Sequence, residues 1–171
     1  DQDDPGDQQA LAVQNRAACQ QNHSRLEPGP HLADHGHTRI AAITGPLGSS
    51  AEPNEWSRAK LRGYRAAVTE RGLARDRRLC VHLQDLAAHT AVDATRALAD
   101  GAAFSALFVA AGSVATDVVD ALRAAGKDVP RDVAAVSFNV NEYERMALDE
   151  YAISGMDVPR VECGRAAVEL L

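Results

Sequence analysis

The run Val133-Ala134-Ala135-Val136-Ser137-Phe138 narrows the possible folds more than any other stretch of this chain. It is short, apolar and partly β-branched. A turn, Gly126-Lys127-Asp128-Val129-Pro130-Arg131, feeds it, and polar Asn139 closes it. A strand buried on both faces of a parallel sheet reads this way, because helices cover it above and below and neither face needs to be polar. In open α/β sheets, ligands sit outside the carboxyl ends of such strands. The binding crevice is therefore expected beside Ser137, Phe138, Asn139, Val140 and Asn141.

The chain upstream repeats the pattern. Arg39–Ile43, Leu79–Leu83 and Ser105–Ala110 read as strands. Helical periodicity fills the gaps at Glu55–Arg71, His89–Asp100 and Ser113–Ala125, with Gly72, Gly101 and Gly126 as stops. Leu61, Tyr64 and Val68 share one face of the first helix, and Arg58, Arg62 and Arg65 share another. The expected inner stripes are Val92, Thr95 and Ala99 in the second helix, and Val114, Val118 and Leu122 in the third. The order β-α-β-α-β-α-β has the spacing that right-handed crossovers need. After it come a short helix over Glu142–Asp149, a strand over Ala152–Met156 and a last helix over Arg160–Leu171. The expected class is α/β: a Rossmann-like parallel sheet with helices on both faces. Residues 1–36 read as a poorly ordered N-terminal segment, 37–150 as an α/β ligand-binding subdomain, and 151–171 as a return strand and closing helix.

Composition excludes several functions. A hydrophobic share of 46% supports a core, but with 4% aromatics that core must be Ala, Val and Leu. A net charge of −6 is wrong for an intrinsic nucleic-acid surface. Cys19, Cys80 and Cys163 are odd in number and widely spaced, so neither a disulfide framework nor a zinc site is expected. His31, His35 and His37 lie close together but lack a His-Glu-x-x-His arrangement. No nucleophile elbow occurs, and Gly45-Pro46-Leu47-Gly48-Ser49-Ser50 lacks the lysine of a phosphate loop. No enzyme activity, metal or cofactor is expected. With no apolar span and no signal peptide pattern, a cytoplasmic protein that does not engage membranes is expected.

Several segments together resemble the effector-binding domain of the lactose-repressor (LacI/GalR) family. They are Gly36-His37-Thr38-Arg39-Ile40-Ala41, Gly45-Pro46, Gly63-Tyr64-Arg65-Ala66-Ala67, Ala121-Leu122-Arg123-Ala124-Ala125-Gly126, the run Val129 to Phe138, and Asp157-Val158-Pro159 with Gly164 to Leu171. The resemblance implies a periplasmic-binding-protein type I fold with a small molecule in the cleft between two subdomains. It implies a homodimer that regulates transcription when a sugar or related metabolite binds. DNA would be touched only through a helix-turn-helix headpiece that these residues do not contain. Most of the first subdomain is expected to be missing, so exposed apolar surface and self-association are expected.

The same resemblance assigns site positions. The family's ligand-forking arginine falls on Lys60, which keeps the charge but loses the planar fork. An Asn-Asp pair after the third strand falls on Ala111 and Gly112, and an Asp after the central Phe falls on Asn139. A bulky stacking position falls on Leu86. From the residues alone, Lys60 also reads as a solvated lysine and Asn139 as a turn cap. Ser49 is either a ligand contact or part of a linker, and Trp56 either a cover at the cleft mouth or a packing residue. Gly112-Ser113, at a helix start, could hold an anion weakly. The function expected is an effector-binding and dimerisation domain of a LacI-type regulator. A solute-binding protein for sugar uptake and a non-functional remnant are the alternatives.

Overall fold

The computed structural model describes residues 32–49, 52–140 and 147–157, the side chains of Asn139, Val140 and Asp157 excepted. Five strands form one sheet: β1 (Ile40–Thr44), β2 (Cys80–His82), β3 (Ala106–Val109), β4 (Ala134–Val140) and β5 (Ser154–Asp157). All neighbours are parallel, in the order β2-β1-β3-β4-β5. The helices between them are α1 (Glu55–Glu70), α2 (Ala88–Gly101) and α3 (Ala115–Ala124). The expected parallel α/β sheet, with helices on both faces, is what forms.

Alternation along the strands sorts the core into two layers. Ala41, Ile43, Leu107, Val109 and Ala135 face α2 and α3, where Ala91, Leu98, Val118 and Leu122 meet them. Ile40, Ala42, Ala106, Phe108 and Val136 face the other way and pack with Tyr64 of α1 and with Leu32. β1 and β3 are buried throughout, as strands at the centre of such a sheet must be. Burying each large aliphatic side chain is worth roughly 1.5–3 kcal/mol. Ala, Val and Leu make up nearly all of the buried apolar residues among those described, as the low aromatic share requires.

The structure corrects three local expectations. The buried stripe of α2 is Ala91, Thr95 and Leu98, not Val92, Thr95 and Ala99. Leu98 offers more apolar surface than Ala99, so the helix rolls to bury it, and Thr95 Oγ1 is satisfied by donating to Ala91 O at 2.7 Å. The third helix starts at Ala115 instead of Ser113, because Gly112–Val114 forms a tighter 3₁₀ turn first. Ala152 is not in the last strand. It adopts φ +57 at the end of the helical residues 147–150, where Ile153 N–H donates to Leu148 O at 2.9 Å. That is a helix-closing motif, and it delays β5 to Ser154.

The stops at Gly72 and Gly126 hold: both adopt positive φ. Of the expected helix over Glu142–Asp149, residues 141–146 lie outside the described residues, as does the helix over Arg160–Leu171. Among the described residues no helix is long and apolar enough to cross a membrane, and no group of His, Cys, Asp or Glu could hold a metal ion.

Candidate functional site

The strand order creates one place where the connections part. From β1 the chain leaves through α1 to β2 on one side, and from β3 it leaves through α3 to β4 on the other. β1 and β3 are direct neighbours, with Ile40 opposite Ala106 and Ile43 opposite Val109. Loops that diverge from adjacent carboxyl ends leave a crevice between them, the usual ligand site of such sheets. The crevice is therefore centred on the ends of β1 and β3. The end of β4, where the sequence placed it, forms one flank.

Lys60 reaches into this crevice from α1. Its Nζ donates to Ala110 O at 2.8 Å and lies 4.7 Å from the centroid of the Phe138 ring. One side chain thus ties α1 to the ends of β3 and β4. Burial pushes the Lys60 ammonium below its usual pKa, since desolvation disfavours the charged form. Among the described residues no carboxylate pairs with it. Ala111 and Gly112 follow directly and turn into α3, whose first residues receive no side-chain cap.

The loop after β1 is tied down on itself. Gly48 pairs with Pro53, and Asn54 N–H donates to Leu47 O at 3.0 Å. Arg58 donates through Nε to Leu47 O at 2.8 Å and through Nη2 to Ser49 O at 2.9 Å. Ser49 Oγ accepts from Glu52 N at 2.9 Å, so its hydroxyl is engaged within the loop. Asn54 Oδ1 caps α1 by accepting from Ser57 N. Gly48 adopts φ +69, and a Cβ there would run into Glu52 O and Asn54 N. Only glycine fits that turn.

Leu86 and Trp56 stand at the rim. A Cβ on Gly45 would lie 3.0 Å from Ser57 Oγ and 3.6 Å from Leu86 Cδ2, so Leu86, Gly45 and the start of α1 converge. Trp56 is 82% exposed and Leu86 50%, the two large apolar side chains most open to solvent among the described residues. The structure thus brings Lys60, Ala111, Gly112 and Leu86 to one edge, with Trp56 beside them. The Asn139 side chain lies outside the described residues.

Two features escaped the sequence reading, and one residue it named sits differently. Arg58 holds the loop, although its spacing reads as a solvated basic face. Fully buried Thr44 is hydrogen-bonded through Oγ1 to His82 Nδ1 at 2.7 Å, and burial lowers the His82 pKa. Their pairing depends on the register that sets Thr44 beside His82, which no local pattern encodes. Ser137, expected beside the crevice, is instead completely buried, and among the described residues its Oγ has no hydrogen-bond partner.

The family model that describes a periplasmic binding protein-like domain matches residues 30–171. The ribose operon repressor of Escherichia coli strain K12 is 32% identical over 142 residues, covering 82% of this chain and 41% of the repressor. Among solved structures, the transcriptional regulator CelR in complex with cellobiose superposes with a TM-score of 0.68 at 30% identity, covering 92% of this chain and 44% of that one. A LacI-family sugar-binding transcriptional regulator from Escherichia coli, complexed with phosphate, superposes with a TM-score of 0.64 at 27% identity, covering 77% and 45%. The chain spans about two fifths of the length of the curated relatives it matches. It belongs to the periplasmic binding protein-like domain family, and the relatives that place it there are LacI-type transcriptional regulators.

Proposed function

We propose that this chain is the effector-sensing lobe of a LacI-type transcription regulator. It holds a small, hydroxylated, sugar-like metabolite at the carboxyl edge of the sheet and does not transform it. The observation that carries the reading is Lys60, a part-buried cation fixed at 2.8 Å on the end of β3 where the chain connections diverge. Lys60, Leu86, Ala111 and Gly112 form the floor, Trp56 and Ser49 belong to the rim, and Asn139, near the end of β4, completes the candidate set. Backbone groups at Ala111 and Gly112 can meet hydroxyls that their side chains cannot. One solved neighbour, the regulator CelR, is in complex with cellobiose, a hydroxylated sugar of this kind. Residues 37–150 form the ligand-binding subdomain, and β5 (Ser154–Asp157) is its return strand. The working protein is a cytoplasmic homodimer, and DNA contact belongs to a separate headpiece, since a lobe with net charge −6 repels a polyanion.

A thermal-shift screen of sugars, polyols and nucleobases tests this. One chemical class should raise the melting temperature saturably, by several degrees at about a hundred times its dissociation constant. No product should form on prolonged incubation. Absence of stabilisation by every compound, or turnover of any, contradicts the reading.

A further inference from the structure

Positive charge in this chain is concentrated on one stretch. Residues 58–78 hold eight of the 18 lysines and arginines and two of the 24 acids, a local charge of +6. The remaining residues, with ten bases and 22 acids, carry −12, so the total of −6 hides a divided molecule. The fold lays that stretch along one flank of the sheet. It runs through α1, the loop after it and the Arg77–Leu79 turn into β2. β2 is an end strand, paired with β1 on one side and with no other strand among the described residues.

Most of these bases are already engaged. Arg78 shares Asp76 with Arg39, Arg71 meets Asp34, and Arg62 meets Glu55. Arg58 and Lys60 rest on backbone carbonyls. Arg65, Arg75 and Arg77 are exposed, and among the described residues no carboxylate pairs with them. These three frame β2. Arg65 comes over it from α1: burial shifts the Cys80 thiol up and the His82 imidazole down, and the Arg65 charge acts on both. Arg75 and Arg77 flank Asp76 at the amino end of the strand, where Arg77 O accepts from Cys80 N–H. The strand itself spans about 10 Å, the length of a few extended residues of a partner.

We propose that this flank docks an acidic, extended segment of a partner protein, its carboxylates meeting Arg65, Arg75 and Arg77 along the open side of β2. Guanidinium forks match carboxylates in geometry as well as charge. Charges on an edge strand keep like copies of a chain from pairing there, so a segment that settles on this edge must cancel them. Glu70 and Asp76 lie between the arginines in the chain. Spaced carboxylates can thread past them, whereas the continuous charge of a nucleic-acid backbone meets repulsion there and from the acidic remainder of the chain. Screening beyond about 8 Å at physiological salt lets the local +6 govern a short segment. Arg65, Arg75 and Arg77 take no part in the crevice, so the inference stands apart from the ligand reading.

Fluorescence anisotropy of the full chain with a short labelled peptide alternating Glu and Val is the test, beside its copy with Gln for Glu. The Glu peptide should bind at least about tenfold tighter than the Gln copy, and rising salt should weaken it. Arg65→Gln, Arg75→Gln and Arg77→Gln combined should remove the preference, and the same positions changed to Lys should keep it. Arg96→Gln, Arg123→Gln and Lys127→Gln combined, which take equal charge from the α2 and α3 face, should leave it unchanged. The comparison of the two peptides on the parent chain decides the matter even where a variant fails to fold. Equal binding of the two peptides, binding of neither, or a preference that survives loss of the three arginines overturns the inference. So does an equal loss in the α2 and α3 variant. Tighter binding of a single-stranded oligonucleotide of the same charge makes the flank a nucleic-acid surface instead. Self-association of the chain alone, abolished with the three arginines, makes the occupant a second copy; either result overturns the proposal.

Discussion

Two residues at the carboxyl edge bear strain or charge that the rest of the structure must balance. Gly48 occupies a left-handed conformation in contact with backbone on both sides. Gly48→Ala should lower unfolding free energy by about 1–3 kcal/mol, the cost of forcing a side chain into such a position. It should also weaken any ligand response, since the Arg58 latch closes on the same loop. Urea denaturation reads the first effect and thermal shift the second. A stability change under about 0.3 kcal/mol would mean the loop is not held as described. Lys60 was legible from sequence as a charge near the site, but the spacing that puts it on α1 is equally that of a solvated lysine. Only the fold shows that its stem crosses to Ala110 and Phe138. Thr44 and His82 were not legible at all, because two strands must pair in register before either has a partner.

Among the elements, the strands were the most readable. Their apolar runs are short and bounded by turn residues, and a parallel sheet demands that pattern of each one separately. Helix faces were less readable: in α2, alanines sit on every side, so the choice between Ala99 and Leu98 fell to packing, not periodicity. The junctions between elements rely on ion pairs that make the fold acid-sensitive. Arg78 and Arg39 hold Asp76 well below the usual carboxylate range, joining the entry of β1 to that of β2. Arg131 and the Asp128 N–H lower Asp132 in the turn before β4. Carboxylates depressed in the folded state contribute stability that is complete above the unfolded value near 3.9 and lost as pH falls toward the folded one. His82, also depressed, is a base that the unfolded chain protonates first, so it removes a smaller amount as pH drops below about 6.5. Stability measured by urea midpoint should thus decline slightly below about pH 6.5 and steeply below about pH 4. Asp76→Asn should flatten the steep limb. An unchanged slope in that variant would show that these pairs do not govern acid unfolding.

At the scale of the whole molecule, the two edges of the sheet differ among the described residues. The carboxyl edge holds a part-buried lysine, a buried Ser137 hydroxyl with no partner among the described residues, and the open side chains of Trp56 and Leu86. The amino edge is finished with ion pairs such as Arg39–Asp76 and Arg131–Asp132. An edge with unmet polar groups and exposed apolar ones is where a ligand or a further lobe belongs. The most direct test is amide chemical-shift mapping of the chain with the compound that stabilises it best. The account predicts saturable shifts at Lys60, Leu86, Ala110, Ala111, Gly112 and Phe138, with Asp76 and Asp132 unmoved and no new ligand resonances. Shifts centred on the amino edge, or signals of a reaction product, would contradict it.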